Sequence, residues 1–233
     1  MRDSVIVFAR APRLGTVKRR LAVVVGDRAA LGFHRATLIT LLRRLAADRR
    51  FRTLLAMTPD RAHFAAPGRI RRIGQGGGDL GQRIDRAFRR FPRGRVAIIG
   101  ADIPDAGPAD LAAAFHALGT ADAAFGPAED GGYWLVALGP RRPARPFAGV
   151  RWSGEHALAD TLRNFPGRRV ALLRVLQDVD TAEDFLRWSQ NRHEGLPPHG
   201  PVIGTPVNKE VGDDASRVVA GRGDLPDLPA QLL

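Results

Sequence analysis

Cysteine is absent from the 233-residue chain, and long apolar runs are missing as well. Without cysteine the chain has no disulfides, thiolate metal sites or cysteine nucleophiles, a composition that fits a reducing compartment. The apolar run near the N-terminus has only five residues, too few for a signal peptide or a membrane span, and no later run is long enough. We therefore expect a cytoplasmic protein that does not cross the membrane.

Lysine is also scarce, because Lys18 and Lys209 are the only two among 36 basic residues and all the others are arginines. The net charge of +12 would suit a nucleic-acid partner. The arginines, however, are spread along the chain, beside abundant alanine, glycine and proline, which indicates a genome-wide compositional bias. We do not expect nucleic acid as a partner, and a basic nucleic-acid-binding module is kept only as an alternative.

Strand and helix patterns alternate along most of the chain. Short β-branched runs predict buried strands, and apolar residues at helical spacing predict amphipathic helices. The predicted strands cover 4–9, 52–57, 69–73, 95–100, 121–126, 132–138 and 168–174, and the predicted helices cover 28–47, 79–91, a stretch opened by Pro108, 155–165 and 181–190. The alternation indicates an α/β fold with a mostly parallel sheet.

The predicted domain spans residues 1–190. Beyond it the apolar periodicity stops, and six of the 17 prolines lie in residues 191–233. We expect this Pro/Gly-rich tail to be loosely ordered.

Loops that follow strands are the expected ligand sites, because ligands of such sheets bind beyond the carboxyl ends of the strands. The first loop reads "RAPRLGTVK". Arg10, Arg13 and Lys18 could reach phosphate groups there, and Gly15 would let the backbone approach a ligand closely. The loop lacks the spacing of a P-loop.

The segment "GADIPD" follows the most apolar strand and places Asp102 at the end of that strand. Carboxylates in a tight turn can hold Mg²⁺ or Mn²⁺ against phosphate oxygens. Asp105 is expected to cap the helix that begins near Pro108, which leaves Asp102 as the candidate metal ligand.

The segment "GPAEDGGY" predicts a β-hairpin with Glu129 and Asp130 at its tip. Gly131 and Gly132 would let the backbone approach a ligand and offer N–H donors. The hairpin interpretation and a functional acid at the tip are compatible.

The segment "QDVDTAED" places Asp178 and Asp180 before a helix. Thr181 and Asp184 match a capping box, so Asp184 is expected to be structural. For Asp178 and Asp180, a role toward a cation or a substrate hydroxyl and a purely structural role both stay open.

The segment "GGGDLG" at 76–81 fits the G-x-G-x-x-G pattern, and Asp102 lies about twenty residues further on. A dinucleotide (NAD/FAD)-dependent oxidoreductase is therefore an alternative function. The preceding strand is short and carries three arginines, which favours a glycine turn in which Asp79 caps the next helix. The six histidines are scattered, and we interpret them as structural or surface residues.

Six segments in this order together resemble a known bacterial family: "FARAPRLGTVKRRL", "QGGGDLGQR", "IIGADIPD", "GPAEDGGYWL", "WSG" and "DVDTAEDF". The family is that of the radical-SAM/selenodomain-associated transferases, also described as arsenosugar-biosynthesis-type glycosyltransferases, in the glycosyltransferase-A (nucleotide-diphospho-sugar transferase-like) superfamily. More distantly, the chain looks like phospholactate and molybdenum-cofactor guanylyltransferases. The resemblance covers about residues 4–190. It implies a Rossmann-like three-layer sandwich with a mostly parallel sheet and a hairpin in its C-terminal half.

The resemblance also implies a glycosyltransferase or nucleotidyltransferase that uses a nucleotide or nucleotide-sugar donor, Mg²⁺ or Mn²⁺, and a small acceptor. Lys18, Asp102 and Asp130 would be catalytic, and Asp102 and Asp180 would hold the metal. The donor would meet Ala9, Arg10, Arg13, Gly15, Lys18 and Gln75, and the acceptor Glu129, Asp130, Gly131, Gly132 and Tyr133. Arg19 and Gly154 stand where the family has threonine. A homodimer is a further possible assembly.

Overall fold

A computed structural model describes residues 2–193 of the chain. The strands are β1 (Asp3–Arg10), β2 (Phe51–Thr58), β3 (Arg71–Gly74), β4 (Val96–Gly100), β5 (Ala123–Pro127), β6 (Tyr133–Leu138) and β7 (Val170–Leu172). The helices are α1 (Arg19–Ala47), α2 (Leu80–Arg89), α3 (Pro108–Ala117), α4 (Ala157–Leu162) and α5 (Ala182–His193). Each predicted strand and helix is present, with shifted ends.

The seven strands form one sheet in the order β3-β2-β1-β4-β6-β5-β7. Strand β6 runs antiparallel to β4 and β5, and every other neighbouring pair is parallel. β5 and β6 form the hairpin expected around "PAEDGG". The predicted α/β fold with a mostly parallel sheet is confirmed.

Apolar side chains alternate between the two faces of the sheet and build two core layers. On one face, Val5 and Val7 of β1 pack with the leucines of α1, including Leu38, and with α3. On the other face, Ile6 packs with Ile84 and other residues of α2. The sheet thus lies between two helical layers, as a three-layer sandwich requires.

Helix α1 begins well before residue 28, where the apolar pattern predicts its start, because the helix continues across a kink. Gly26 stands at the kink with φ 82° and ψ 157°, a conformation that glycine adopts without steric cost. The short segment before Gly26 brings the N-terminus of α1 to the loop that follows β1.

Two predicted helix caps are confirmed, and one is wrong. Asp79 and Gln82 form a reciprocal capping box at α2, and Asp184 accepts the backbone N–H of Thr181 at 2.8 Å. At α3 the cap position belongs to Gly107, and Asp105 instead accepts a hydrogen bond from Trp188 Nε1 at 3.1 Å. Asp105 lies two residues before this cap, and its carboxylate is bonded to a tryptophan of α5 instead.

The predicted tail lies outside the described residues, apart from positions 191–193, which continue α5. Within residues 2–193 no helix is long and apolar enough to span a bilayer.

Candidate functional site

The loops that follow β1, β4, β5 and β7 meet at one edge of the sheet, because these four strands point the same way. Backbone hydrogen bonds join the loops directly. Val179 N donates to the Asp102 carbonyl at 3.3 Å, and Leu176 N donates to the Pro127 carbonyl at 3.2 Å. Residues far apart in sequence therefore line one cleft, which we call the loop cleft.

Lys18 lies at the centre of the loop cleft. Its Nζ is 3.0 Å from Asp102 Oδ1 and 3.8 Å from Asp180 Oδ1, and its side chain is only 4% exposed. Lys18 is also the N-cap residue of α1 and has a left-handed backbone, with φ 49°. Such a conformation is uncommon outside glycine, and strained residues concentrate at functional sites. The predicted cation-binding carboxylates thus converge on one buried ammonium group.

Asp102 is held in its charged form by its neighbours. Burial disfavours the charge, but the His34 imidazole and the Lys18 ammonium together place the pKa of Asp102 well below its usual value. The carboxylate side chain is still 48% exposed, so its free edge faces the cleft and can meet a ligand.

The pKa of Asp178 is shifted in the opposite direction. Burial and the neighbouring charge of Asp130 raise its pKa to about 6, with smaller contributions from Asp184 and Asp180, and Lys18 offsets only part of this. The carboxylates in the cleft outnumber the one buried lysine, so the cleft favours a further positive charge or a proton.

His34 was missed by sequence reasoning, which treated the histidines as structural or surface residues. It lies on α1, is 3% exposed, and places Nε2 3.1 Å from the carbonyl oxygen of Arg10. Its Nδ1 is 3.6 Å from Asp102 Oδ1. A signal was present, because His34 interrupts the apolar face shared by Leu31 and Leu38, and a polar residue on a buried stripe needs a partner.

An arginine-lined cavity adjoins the loop cleft. Its volume is about 330 Å³, within the size range of small-molecule sites. The predicted phosphate-binding residues Arg10 and Arg13 line it, and Gly15 forms the tight turn beside them with φ 70°. The remaining lining residues are Ala11, Thr16, Thr58, Pro59 and Arg83. Arg83 was not predicted as a binding residue, because no periodicity in the sequence distinguishes its position on α2.

Gln75 and Ala9, both predicted to meet the donor, are joined to each other. Gln75 is buried and donates from Nε2 to the carbonyls of Ala9 and Ala56, at 3.2 and 2.9 Å. The amide nitrogen thus ties β1 to β2 near their carboxyl ends.

The hairpin tip holds the predicted acceptor residues, but its glycine N–H groups are not free. Gly132 N donates to Asp130 Oδ1 at 2.9 Å, and Gly131 N donates to the Ala128 carbonyl at 3.2 Å. The expectation that these glycines offer N–H donors is therefore wrong, since the tight turn consumes both. Position 131 has no room for a side chain, because a Cβ there would lie 2.2 Å from the Glu155 carbonyl oxygen.

Glu129 and Tyr133 flank the tip and differ in exposure. Glu129 is exposed and pairs with Arg187 at 3.3 Å. The Tyr133 ring packs edge-on against Phe125 and Trp152, and burial raises the pKa of its phenol. Tyr133 therefore contributes packing, and the exposed carboxylates of the tip face solvent.

Asp102 and Asp180 are the carboxylates that could share a divalent cation with a ligand. Each lies beside the Lys18 ammonium, at 3.0 and 3.8 Å, so their surroundings already accommodate one positive charge. Mg²⁺ commonly uses one or two carboxylates and completes its shell with phosphate oxygens and water. Among the side chains that the structure describes, no group of three or more His, Cys, Asp or Glu could hold a metal alone.

The sheet order, the antiparallel strand β6 and the loop cleft define the fold of nucleotide-diphospho-sugar transferases. A protein-family model described as "Uncharacterized protein conserved in bacteria (DUF2064)" matches residues 41–154. A "putative nucleotide-diphospho-sugar transferase" from Desulfovibrio desulfuricans G20 has a crystal structure that is 28% identical in sequence, with a TM-score of 0.77. That match covers 84% of this chain and 90% of the other. Together these findings support the nucleotide-diphospho-sugar transferase superfamily.

A more distant structure shares the fold alone. The 4-diphosphocytidyl-2C-methyl-D-erythritol synthase from Anaerococcus prevotii DSM 20548 is 13% identical, with a TM-score of 0.52, over 82% of this chain and 96% of that one. No curated protein matches the chain.

Proposed function

We propose that this protein is a metal-dependent transferase that moves a nucleotidyl or glycosyl group from a nucleotide or nucleotide-sugar to a small acceptor. The observation that carries the proposal is the buried Lys18 ammonium between Asp102 and Asp180, next to the arginine-lined cavity. The similarity to the D. desulfuricans structure described as a "putative nucleotide-diphospho-sugar transferase" supports it.

The donor would lie along the loop that follows β1. Arg10, Arg13 and Arg83 bring three guanidinium groups to one cavity, and guanidinium groups bind phosphate oxygens with charge-assisted hydrogen bonds. Lys18 would meet the phosphates nearest the reacting bond, where its charge offsets the charge that develops on the leaving group.

Asp102 and Asp180 would hold Mg²⁺ or Mn²⁺ against the donor phosphates. When bound, the cation would neutralise phosphate charge and orient the phosphates. The low pKa of Asp102 keeps this carboxylate charged at physiological pH, as a metal ligand requires.

The acceptor would approach from the hairpin tip. Its hydroxyl oxygen would form a bond to the donor's phosphorus or anomeric carbon while the bond to the leaving pyrophosphate or nucleoside diphosphate breaks. The hydroxyl proton would pass to a carboxylate, for which we propose Asp130 or its neighbour Asp178. Asp178 suits this role because its pKa of about 6 lies near physiological pH.

Neither alternative function gains support from a specific observation. The G-x-G-x-x-G segment follows β3, which is the edge strand of the sheet, and Asp79 within it caps α2. Several arginines are engaged inside the fold; Arg142, for example, donates to the carbonyls of Phe91 and Gly94 at 2.8 Å. Membership of the radical-SAM/selenodomain-associated family, a cytoplasmic location and a homodimer stay predictions.

The experiment is a calorimetric and turnover panel of nucleoside triphosphates and nucleotide-sugars, with and without Mn²⁺. We expect metal-dependent binding of one donor. Release of pyrophosphate would identify nucleotidyl transfer, and release of nucleoside diphosphate would identify glycosyl transfer. Lys18→Met should abolish turnover, whereas Arg43→Met, the same charge change on the exposed far half of α1, should leave it unchanged. Wild-type protein that binds no donor with Mn²⁺ present would contradict the proposal.

A further inference from the structure

The imidazole of His34 spans the space between two walls of the loop cleft. Its Nε2 contacts the carbonyl of Arg10, where the phosphate loop begins, at 3.1 Å. Its opposite edge, at Nδ1, faces Asp102 Oδ1 at 3.6 Å. One rigid ring carried by α1 therefore touches both the predicted donor loop and the predicted metal ligand.

Backbone hydrogen bonds alone do not hold these two walls together. The pairing of β1 with β4 ends at Phe8 and Gly100, and Ala101 N makes the last contact, donating to the Phe8 carbonyl. Beyond that point the first loop turns toward β2, since Ala11 N donates to the Thr58 carbonyl at 2.8 Å. The ring of His34 contacts both chains just beyond the point where the two strands part.

Packing alone would leave the choice of histidine at position 34 unexplained. Neighbouring positions on the same face of α1, such as Leu38 and Leu42, are fully buried leucines. Among the described side chains, His34 Nδ1 and Arg72 Nε are the buried nitrogens that make no hydrogen bond. A core filled only for packing would not place an imidazole nitrogen 3.6 Å from a carboxylate oxygen.

We propose that His34 is a positioning residue that sets the spacing between the Arg10 main chain and the Asp102 carboxylate. The expected effect on binding rests on the proposed function, in which phosphate held by the first loop shares a cation with Asp102. The spacing between the loop and Asp102 would decide whether one cation can contact both. Residues that orient a metal ligand typically change metal affinity 10- to 100-fold when they are replaced.

The test uses three variants and the full-length protein. His34→Leu removes both nitrogens, and His34→Gln keeps a donor able to reach the Arg10 carbonyl. Leu38→Ala, one turn further along the same face of α1, is the matched control for damage to the core. Two measurements apply: calorimetric binding of inorganic pyrophosphate with Mn²⁺, and hydrogen exchange of the segments 10–16 and 101–106.

We expect His34→Leu to bind pyrophosphate with Mn²⁺ about 10- to 100-fold more weakly, and to exchange faster in both segments at once. His34→Gln should restore most of the protection of segment 10–16. Leu38→Ala should lower the melting temperature while keeping wild-type affinity and wild-type exchange in both segments.

Wild-type exchange in both segments of His34→Leu would overturn the positioning role, and so would an equal loss of affinity in Leu38→Ala. If the wild-type protein does not bind pyrophosphate, nucleotidyl transfer is contradicted while the donor panel still tests glycosyl transfer, and the exchange data decide by themselves whether His34 couples the two walls.

Discussion

Replacing Asp178 with asparagine should stabilise the protein at neutral pH. The wild-type carboxylate is partly buried beside Asp130, and these surroundings raise its pKa from 3.8 to about 6. The folded state therefore binds the Asp178 proton more tightly than the unfolded state does. The Asp178 carboxyl therefore favours folding at low pH, and this contribution to the free energy of unfolding is lost as the pH rises toward and through 6. Asparagine carries no charge at any pH, so it avoids this loss.

The magnitude follows from the pKa. A rise from 3.8 to about 6 corresponds to about 3 kcal/mol as an upper limit. Solvent screens a partly exposed group, so we expect a gain of about 1–2 kcal/mol at pH 7.5. For a chain of this size that gain raises the melting temperature by about 2–8 °C.

Urea denaturation of wild-type and Asp178→Asn protein at pH 4.5 and pH 7.5 measures the effect. The two free energies of unfolding should differ most at pH 7.5, and by only about a third of that difference at pH 4.5. At pH 4.5 the folded carboxyl, with its pKa of about 6, is mostly protonated, whereas the unfolded carboxyl, with its pKa of 3.8, is already mostly ionised. Glu155→Gln, which neutralises an acid whose side chain is 80% exposed, is the control and should change stability little at either pH. An equal gain at both pH values, or no gain at pH 7.5, would refute the electrostatic reasoning.

Further predictions concern three glycines and one helix cap, and denaturation measurements check each of them. Gly131→Ala should destabilise by about 2 kcal/mol or more, because its Cβ would meet the Glu155 carbonyl oxygen at 2.2 Å; a wild-type melting temperature would contradict that contact. Gly32→Ala, in open space within α1, should stabilise by about 0.5–1 kcal/mol. Gly26→Ala has equal space but φ +82°, so it should destabilise by about 1 kcal/mol, and a gain there would show that the kink is not required. Asp79→Ala should cost about 1 kcal/mol through loss of the α2 cap.

Strand and helix positions were predictable because each depends on a short pattern of side chains. The β-branched run of β1 and the leucine stripe of α1 signal burial on one or both faces. The start of α1 was not predictable in this way, since Gly26 breaks the pattern and the segment before it exposes Val23 and Val24. That segment is placed by contacts of Lys18 and Arg20 with Asp180, which no local pattern reveals.

For the candidate site, the rule that parallel strands deliver their carboxyl ends to one edge predicted where the loops with Lys18, Asp102 and Asp180 lie. The family resemblance, not the loops alone, implied that Asp102 and Asp180 act together. The same reasoning could not find His34 or Arg83. Both lie within helices, and the turn of the helix that faces the cleft depends on how that helix packs against the sheet.

The sequence by itself determined the alternation of strands and helices, the α/β class and the loops that hold the charged residues, because these follow from local periodicity and turn chemistry. Only the tertiary structure decided which charges become neighbours. The buried Lys18 between two aspartates, the raised pKa of Asp178 and the His34 ring between β1 and β4 all arise from contacts between segments distant in the chain. Such contacts depend on the three-dimensional path of the backbone, which the spacing of residues along the chain does not encode locally.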